Sequence, residues 1–185
     1  MAKMERPQKQ TTQTKTWQVQ LRDLIEFLSP AKRVALVGVG HPLRGDDYVG
    51  SYAVKAIMQA TDGSLLDGVY LFDAEDNVEA LIARLARLGL KHVIFIDACE
   101  MGLRPGETRL VSVAETSYPF FTTHGIPVKV LAERLLSESE VWVLAIQTEN
   151  TEFGEDLSPE IRDAAISVSN FITANLTEGG RAIAD

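Results

Sequence analysis

VALVGVGHPLRGDD, residues Val34–Asp47, is the stretch on which the fold turns. Four apolar residues of strand type (Val34, Ala35, Leu36, Val37) run into Gly38 and Gly40. The turn ends in two adjacent carboxylates, and helical periodicity begins at Tyr48. A strand that feeds a helix through a glycine-rich loop commonly cradles phosphate, because the N–H groups of loop and helix start favour anions. The side chains here oppose that use. Gly40 and Gly45 have the outer spacing of a P-loop, but Asp46 and Asp47 stand where Lys and Ser or Thr belong. Leu43 occupies the third glycine position of the dinucleotide fingerprint. Two carboxylates at a helix start would repel a triphosphate; they suit a metal ion or a hydrolytic role.

Outward from this loop, apolar strands alternate with amphipathic helices. Strand 1 is expected at Arg33–Val39, followed by a helix from about Asp47 to Ala60 with Val49, Ala53, Ala56, Ile57 and Ala60 inward. Strand 2 is expected at Val69–Asp73. The next helix is capped by Asp76 or Asn77, buries Val78, Leu81, Ile82, Leu85 and Leu88, and stops at Gly89. Strand 3 is His92–Asp97 and strand 4 is Glu107–Val113. The link between them is too short for a crossover helix, so strand 4 should run antiparallel to strand 3. After the loop Ala114–Thr123, a helix starting near His124 or Gly125 buries Val128, Leu131, Leu135 and Leu136. Strand 5, Val141–Gln147, is fully apolar. The last helix has Ser158 as N-cap and Pro159 at its first position, with Ile161, Ala164, Ala165, Val168, Phe171 and Ile172 inward. The pattern predicts a three-layer α/β fold: a mostly parallel five-stranded sheet with one antiparallel strand and helices on both faces.

Ahead of it, residues 1–15 read as a disordered tail, rich in Gln, Thr and Lys. Residues 16–30 read as an N-terminal helical extension, with Thr16 as cap, Trp17, Leu21, Leu24, Ile25 and Leu28 on one face, and Pro30 as its stop. Residues 31–185 read as one α/β domain.

Composition narrows the function. The 185 residues are 45% hydrophobic and 24% charged, and the net charge is −8. An acidic chain is a poor non-specific ligand for nucleic acid. No apolar run approaches the roughly 20 residues of a membrane span, and the first residues lack the apolar core of a secretory signal. The single cysteine, Cys99, excludes an intrachain disulfide and suits a reducing cytoplasm. It reads as a small buried hydrophobe.

In such sheets ligands bind outside the carboxyl ends of the strands. Asp47 follows strand 1, Asp73 ends strand 2, Asp97 ends strand 3 and Gln147 ends strand 5. His124 follows the antiparallel strand, and the intervening loop is long enough to return it to the same edge without requiring it. Asp47, Asp97 and His124 together would make an open metal site with a position left for water or a substrate carbonyl. Oxygen and nitrogen donors suit Zn, Ni, Mn or Fe alike. Each residue also has a structural reading: Asp47 as a helix cap, Asp97 as a turn cap, His124 beside a helix start. His41 and His92 have no partner that sequence reveals.

At this point four segments resemble the [NiFe]-hydrogenase maturation endopeptidases. GVGHPLRGDDYVG (Gly38–Gly50) resembles their opening motif, roughly G-x-G-N-x-L-x-x-D-[DE]-x-x-G. IDACEMGLRPGE (Ile96–Glu107) is similar to their D-A-x-x-x-G-x-x-P-G segment. THG (Thr123–Gly125) resembles their histidine segment, and IQTENTEFGEDLSPE (Ile146–Glu160) their I-Q…G-x-x-L-S-P-E stretch. The likeness runs from about Arg33 to Leu176. Two departures stand out: His41 replaces the usual Asn, and Asp73-Ala74-Glu75-Asp76 lacks the glycine and hydroxyl of D-[GA]-G-[TS].

The resemblance implies an endopeptidase that removes the C-terminal extension of the [NiFe]-hydrogenase large-subunit precursor after nickel insertion. The nickel is carried by the precursor, not held tightly by the free protein, and serves as the recognition signal. It also implies Asp47, Asp97 and His124 as both catalytic and metal-contacting residues. The expected setting is a cytoplasmic monomer, with no nucleic acid and no membrane insertion. No Ser–His–Asp arrangement is suggested. The rival readings are a non-enzymatic chaperone that binds nickel or the precursor, and a nucleotide enzyme on a similar sheet.

Overall fold

In the computed structural model, residues 16–26, 33–62, 64, 67–115 and 138–176 are described. The expected tail 1–15, the helix after His124 and most of the loop before it lie outside the described residues. So do Pro30, Leu28 and the side chain of Ile25.

Two strands, β1 (Val34–Val39) and β3 (His92–Cys99), are buried along their whole length. That is why Val34–Val37 and Val93–Ile96 read as unbroken apolar runs: a parallel strand covered on both faces has no polar side to alternate with. The sheet has five strands in the order β2-β1-β3-β5-β4, with β2 at Val69–Glu75, β4 at Thr108–Ser112 and β5 at Glu140–Gln147. β1 pairs in parallel with β2 and β3, and β3 pairs in parallel with β5. β4 is antiparallel to β5. It therefore opposes β3 in direction, as the short link demands, but β5 lies between them. The β1–β2 register shifts after Gly38, where Glu75 and not Ala74 pairs with Val39, and Glu75 takes a left-handed φ of 47°.

Side chains alternate between two core faces, as period-2 geometry requires. One face carries Val34, Leu36, Ile94, Ile96, Leu144 and Ile146 beneath α2 (Val49–Thr61) and α4 (Pro159–Leu176). The other carries Ala35, Val37, Val93, Phe95 and Val143 beneath α3 (Val78–Leu85). Helices thus cover both faces, and the architecture is the expected three-layer α/β fold.

The helix α1 (Trp17–Glu26) adds to the first face. Thr16 Oγ1 accepts from Val19 N at 3.4 Å, Leu21 is fully buried, and Trp17 meets Phe171 of α4 edge-on at 5.2 Å.

Local differences from the pattern have physical causes. The chain after the loop first forms a 3₁₀ turn, Gly45–Tyr48, so α2 starts two residues late. It is wedged between the sheet and α4, so its buried face exceeds one stripe: Val54 and Thr61 are buried, while Ala60 is exposed. α3 is capped by Asn77, whose side chain accepts from Ala80 N. It ends at Leu85; the chain then turns so that Leu88 O accepts from Arg33 Nη1 at 3.0 Å, and Gly89 adopts φ 60°.

Candidate active site at the carboxyl edge of β1 and β3

From β1 the chain crosses through α2 to β2 on one side, then through α3 back to β3 on the other. The order β2-β1-β3 therefore reverses direction at β1, and the crevice at such a switch point lies beyond the carboxyl ends of β1 and β3. Asp47 and Asp97 both come from that edge.

Close backbone contact brings them there. A Cβ on Gly50 would collide with the carbonyl oxygens of Ile96 and Val39, so only glycine lets the first turn of α2 rest on the ends of both strands. Gly40, at φ 139°, has the same constraint against Asp47 O. Asp47 is buried and its Oδ2 accepts from His41 N at 2.9 Å. Asp97 is buried and its Oδ1 accepts from its neighbour Ala98 N at 2.8 Å. Burial pushes the Asp97 carboxyl up to about 7, and the Asp47 charge adds to the rise against the opposing Ala98 N–H. Two buried carboxylates that repel one another form a donor set a cation would relieve.

His124 lies outside the described residues. Among the described residues, no group of three or more His, Cys, Asp or Glu side chains has an arrangement that could hold a metal ion.

Asp46 has a different task. It is fully buried, and its carboxylate accepts from Glu149 N (2.8 Å), Asn150 N (2.7 Å), Ser158 N (2.7 Å) and Ser158 Oγ (3.1 Å). Gly45 N donates to Glu155 O at 3.1 Å, Asp46 N to Asn150 O at 2.8 Å, and Gly154 N to Leu43 O at 2.8 Å. These bonds fasten the loop before α4 to the loop that presents Asp47. Sequence reading missed this role. Its only visible trace is a second acid beside Asp47, and its partners stand more than a hundred residues away.

Gln147, at the end of β5, uses its amide on the loop after β3 and on its own neighbour. Oε1 accepts from Met101 N (2.7 Å) and Leu103 N (3.1 Å), while Nε2 donates to Glu100 Oε1 (3.1 Å) and Thr148 O (2.9 Å).

Asp73 is engaged from two sides. Its Oδ1 lies 2.7 Å from Ser51 Oγ, and its Oδ2 pairs with Lys55 Nζ at 2.9 Å. Burial pulls the Lys55 ammonium down, but bonds to Asp73, Tyr48 and Glu75 outweigh it and hold the group above its usual value.

The remaining candidates separate. Cys99 is buried, and burial together with the nearby Asp97 charge pushes its thiol up, so it is no thiolate nucleophile. His92 begins β3 at the opposite edge, with Nδ1 3.4 Å from Glu140 Oε2. His41 stays near the site; its Nδ1 accepts from Leu43 N at 3.1 Å.

Comparison with known proteins agrees with this architecture. The family model described as hydrogenase maturation protease matches residues 51–175, starting four residues after Asp47. The Hydrogenase 3 maturation protease of Escherichia coli K12 is 29% identical over 135 residues, which cover 72% of this chain and 84% of that protein. The solution structure of the endopeptidase HycI from Escherichia coli is 27% identical, with a TM-score of 0.65, covering 75% of this chain and 87% of that one. The [NiFe] hydrogenase maturation protease HycI from Thermococcus kodakarensis has the same fold, with a TM-score of 0.72 at 22% identity over 83% of this chain and 98% of that one.

Proposed function

The chain belongs to the hydrogenase maturation protease family, and from that premise we propose that it removes the C-terminal extension of a [NiFe]-hydrogenase large-subunit precursor once nickel has been inserted. That it is an endopeptidase of hydrogenase maturation follows from the family. The nickel checkpoint, the C-terminal cut and the residues that carry them are our reading.

The observation that carries it is the pair of buried carboxylates, Asp47 and Asp97, at the β1/β3 crevice. Nickel arrives as part of the substrate. Asp47, Asp97 and, by the resemblance of its segment, His124 engage it and so set the precursor's tail in register with the site. Hydrolysis then requires a water oxygen to add to the scissile carbonyl carbon, the C–N bond to break and a proton to reach the departing amine. A carboxylate of the pair supplies the proton acceptor. Cys99 takes no part, because its thiol stays protonated in the core.

The same reading takes residues 31–185 as one protease domain acting as a monomer in the cytoplasm. No helix among the described residues is long and apolar enough to cross a membrane.

The test is to mix the protein with nickel-loaded and nickel-free precursor and read intact masses. Loss of a C-terminal piece only from the nickel-loaded sample, abolished by Asp47→Asn, is the expected result. Equal cleavage without nickel would remove the checkpoint. No cleavage of a verified nickel-loaded precursor, with tight nickel binding by the free protein, would favour the chaperone reading instead.

A further inference from the structure

We propose that Leu43 and Phe153 form a fixed apolar shelf beside Asp47 that seats an apolar side chain of the precursor; this deepens the endopeptidase reading and rests on it. Among the described residues four large hydrophobic side chains are exposed: Val19, Leu43, Phe153 and Ile166. Single exposed apolar residues need no explanation. Leu43 and Phe153, at 53% and 73% exposure, are different because they stand together. Gly154 N donates to Leu43 O, and the rings of His41 and Phe153 lie 6.3 Å apart. His41 in turn donates its N–H to Asp47. Through His41 the shelf is therefore linked to Asp47.

The loop that displays Phe153 is also held rigid. The four bonds to the Asp46 carboxylate, together with Gly45 N to Glu155 O and Asp46 N to Asn150 O, fix it from both ends. A phenylalanine held outward on an ordered loop has already lost the freedom that binding would otherwise cost, as a preorganised anchor does.

Charge identifies the occupant. Glu149, Glu152, Glu155 and Asp156 are exposed along this loop, against the single cation Arg44 on the facing one. An acidic rim repels a second copy of a chain with net charge −8. It accepts a neutral or basic stretch of polypeptide. The occupant is thus an extended precursor segment with an apolar residue in a non-acidic setting, placed so that the bond to be cut lies over Asp47.

Phe153→Ser and Leu43→Ser test this, with Ile166→Ser on α4 as the control. Affinity for nickel-loaded precursor is measured by calorimetry in parallel with the kinetics of cleavage, so that binding is read whether or not the bond is cut. Each shelf variant should weaken binding about tenfold and raise KM far more than it lowers kcat, while Tm and the Ile166→Ser affinity stay at wild-type values. Unchanged affinity in both shelf variants would overturn the shelf, even if wild-type protein cleaves normally. A fall in Tm would mean that the chain's own residues cover the patch. A wild-type dimer that Phe153→Ser converts to monomer would assign it to a second copy; either result overturns the proposal. Failure of wild-type protein to cleave, with the shelf variants still binding less tightly, would count against the endopeptidase reading alone.

Discussion

Replacing Asp97 by Asn should make the protein more stable and inactive. Asp97 is buried, and its carboxyl is raised from the ordinary 3.8 to about 7. Between those two values the folded state binds a proton that the unfolded state releases, so stability falls as pH rises through the window. Below about pH 4 both states are protonated and nothing is lost; above about pH 7 both are ionised and the full cost stands. That cost is about 4 kcal/mol as an upper limit. Asn keeps an oxygen for the Ala98 N–H and carries no charge at any of these values. The variant should match wild type near pH 4 and melt about 10 °C higher by pH 8, with the gap opening between. Thermal or urea denaturation at several pH values, avoiding the region of the isoelectric point, reads this directly. A gap that does not change with pH, or a variant less stable at pH 8, would refute the account. The same variant should fail to process precursor, a site whose charge costs stability because function needs it.

Asp46→Asn should cost about 3 kcal/mol, because donors reach both carboxylate oxygens and an amide offers only one acceptor. Urea denaturation should show the loss, and limited proteolysis should cut first between residues 149 and 158. Gly50→Ala should not yield a stable fold, since its methyl would meet two carbonyl oxygens; recovery of soluble protein with a wild-type melting curve would contradict the packing described. Cys99 should resist a thiol reagent in native buffer and react only after denaturant is added; mass spectrometry distinguishes the two states.

How much of this was legible in the sequence depends on the range of the interaction. Strands buried on both faces announce themselves as apolar runs, and β1, β3 and β5 stand within two residues of where the pattern puts them. The stripes of α3 and α4 were equally readable. α2 was less so: α4 packs on its flank, and no periodicity in residues 49–61 encodes a neighbour a hundred residues on. The strand-end rule selected Asp47 and Asp97, which the fold brings close enough for one charge to disturb the other. It named Asp47 and left Asp46 without a role, since only tertiary partners reveal what the second acid of the turn does. It also selected Asp73 and Gln147, whose hydrogen-bonding capacity is spent on neighbours within the fold. Helical and strand signals are local; the use of a buried carboxylate is not.

The fastening of Asp46 to Ser158 has a consequence for biosynthesis. A ribosome delivers Asp46 and Asp47 early and Ser158 late. Until the segment 149–158 emerges, Asp46 has a charge to bury and lacks its full set of four donors, so the loop presenting Asp47 is unfinished. A nascent or truncated chain that stops short of Ser158 carries the acids of the site without the clamp that sets them. The setting of the Asp47 loop thus waits on a segment made more than a hundred residues later.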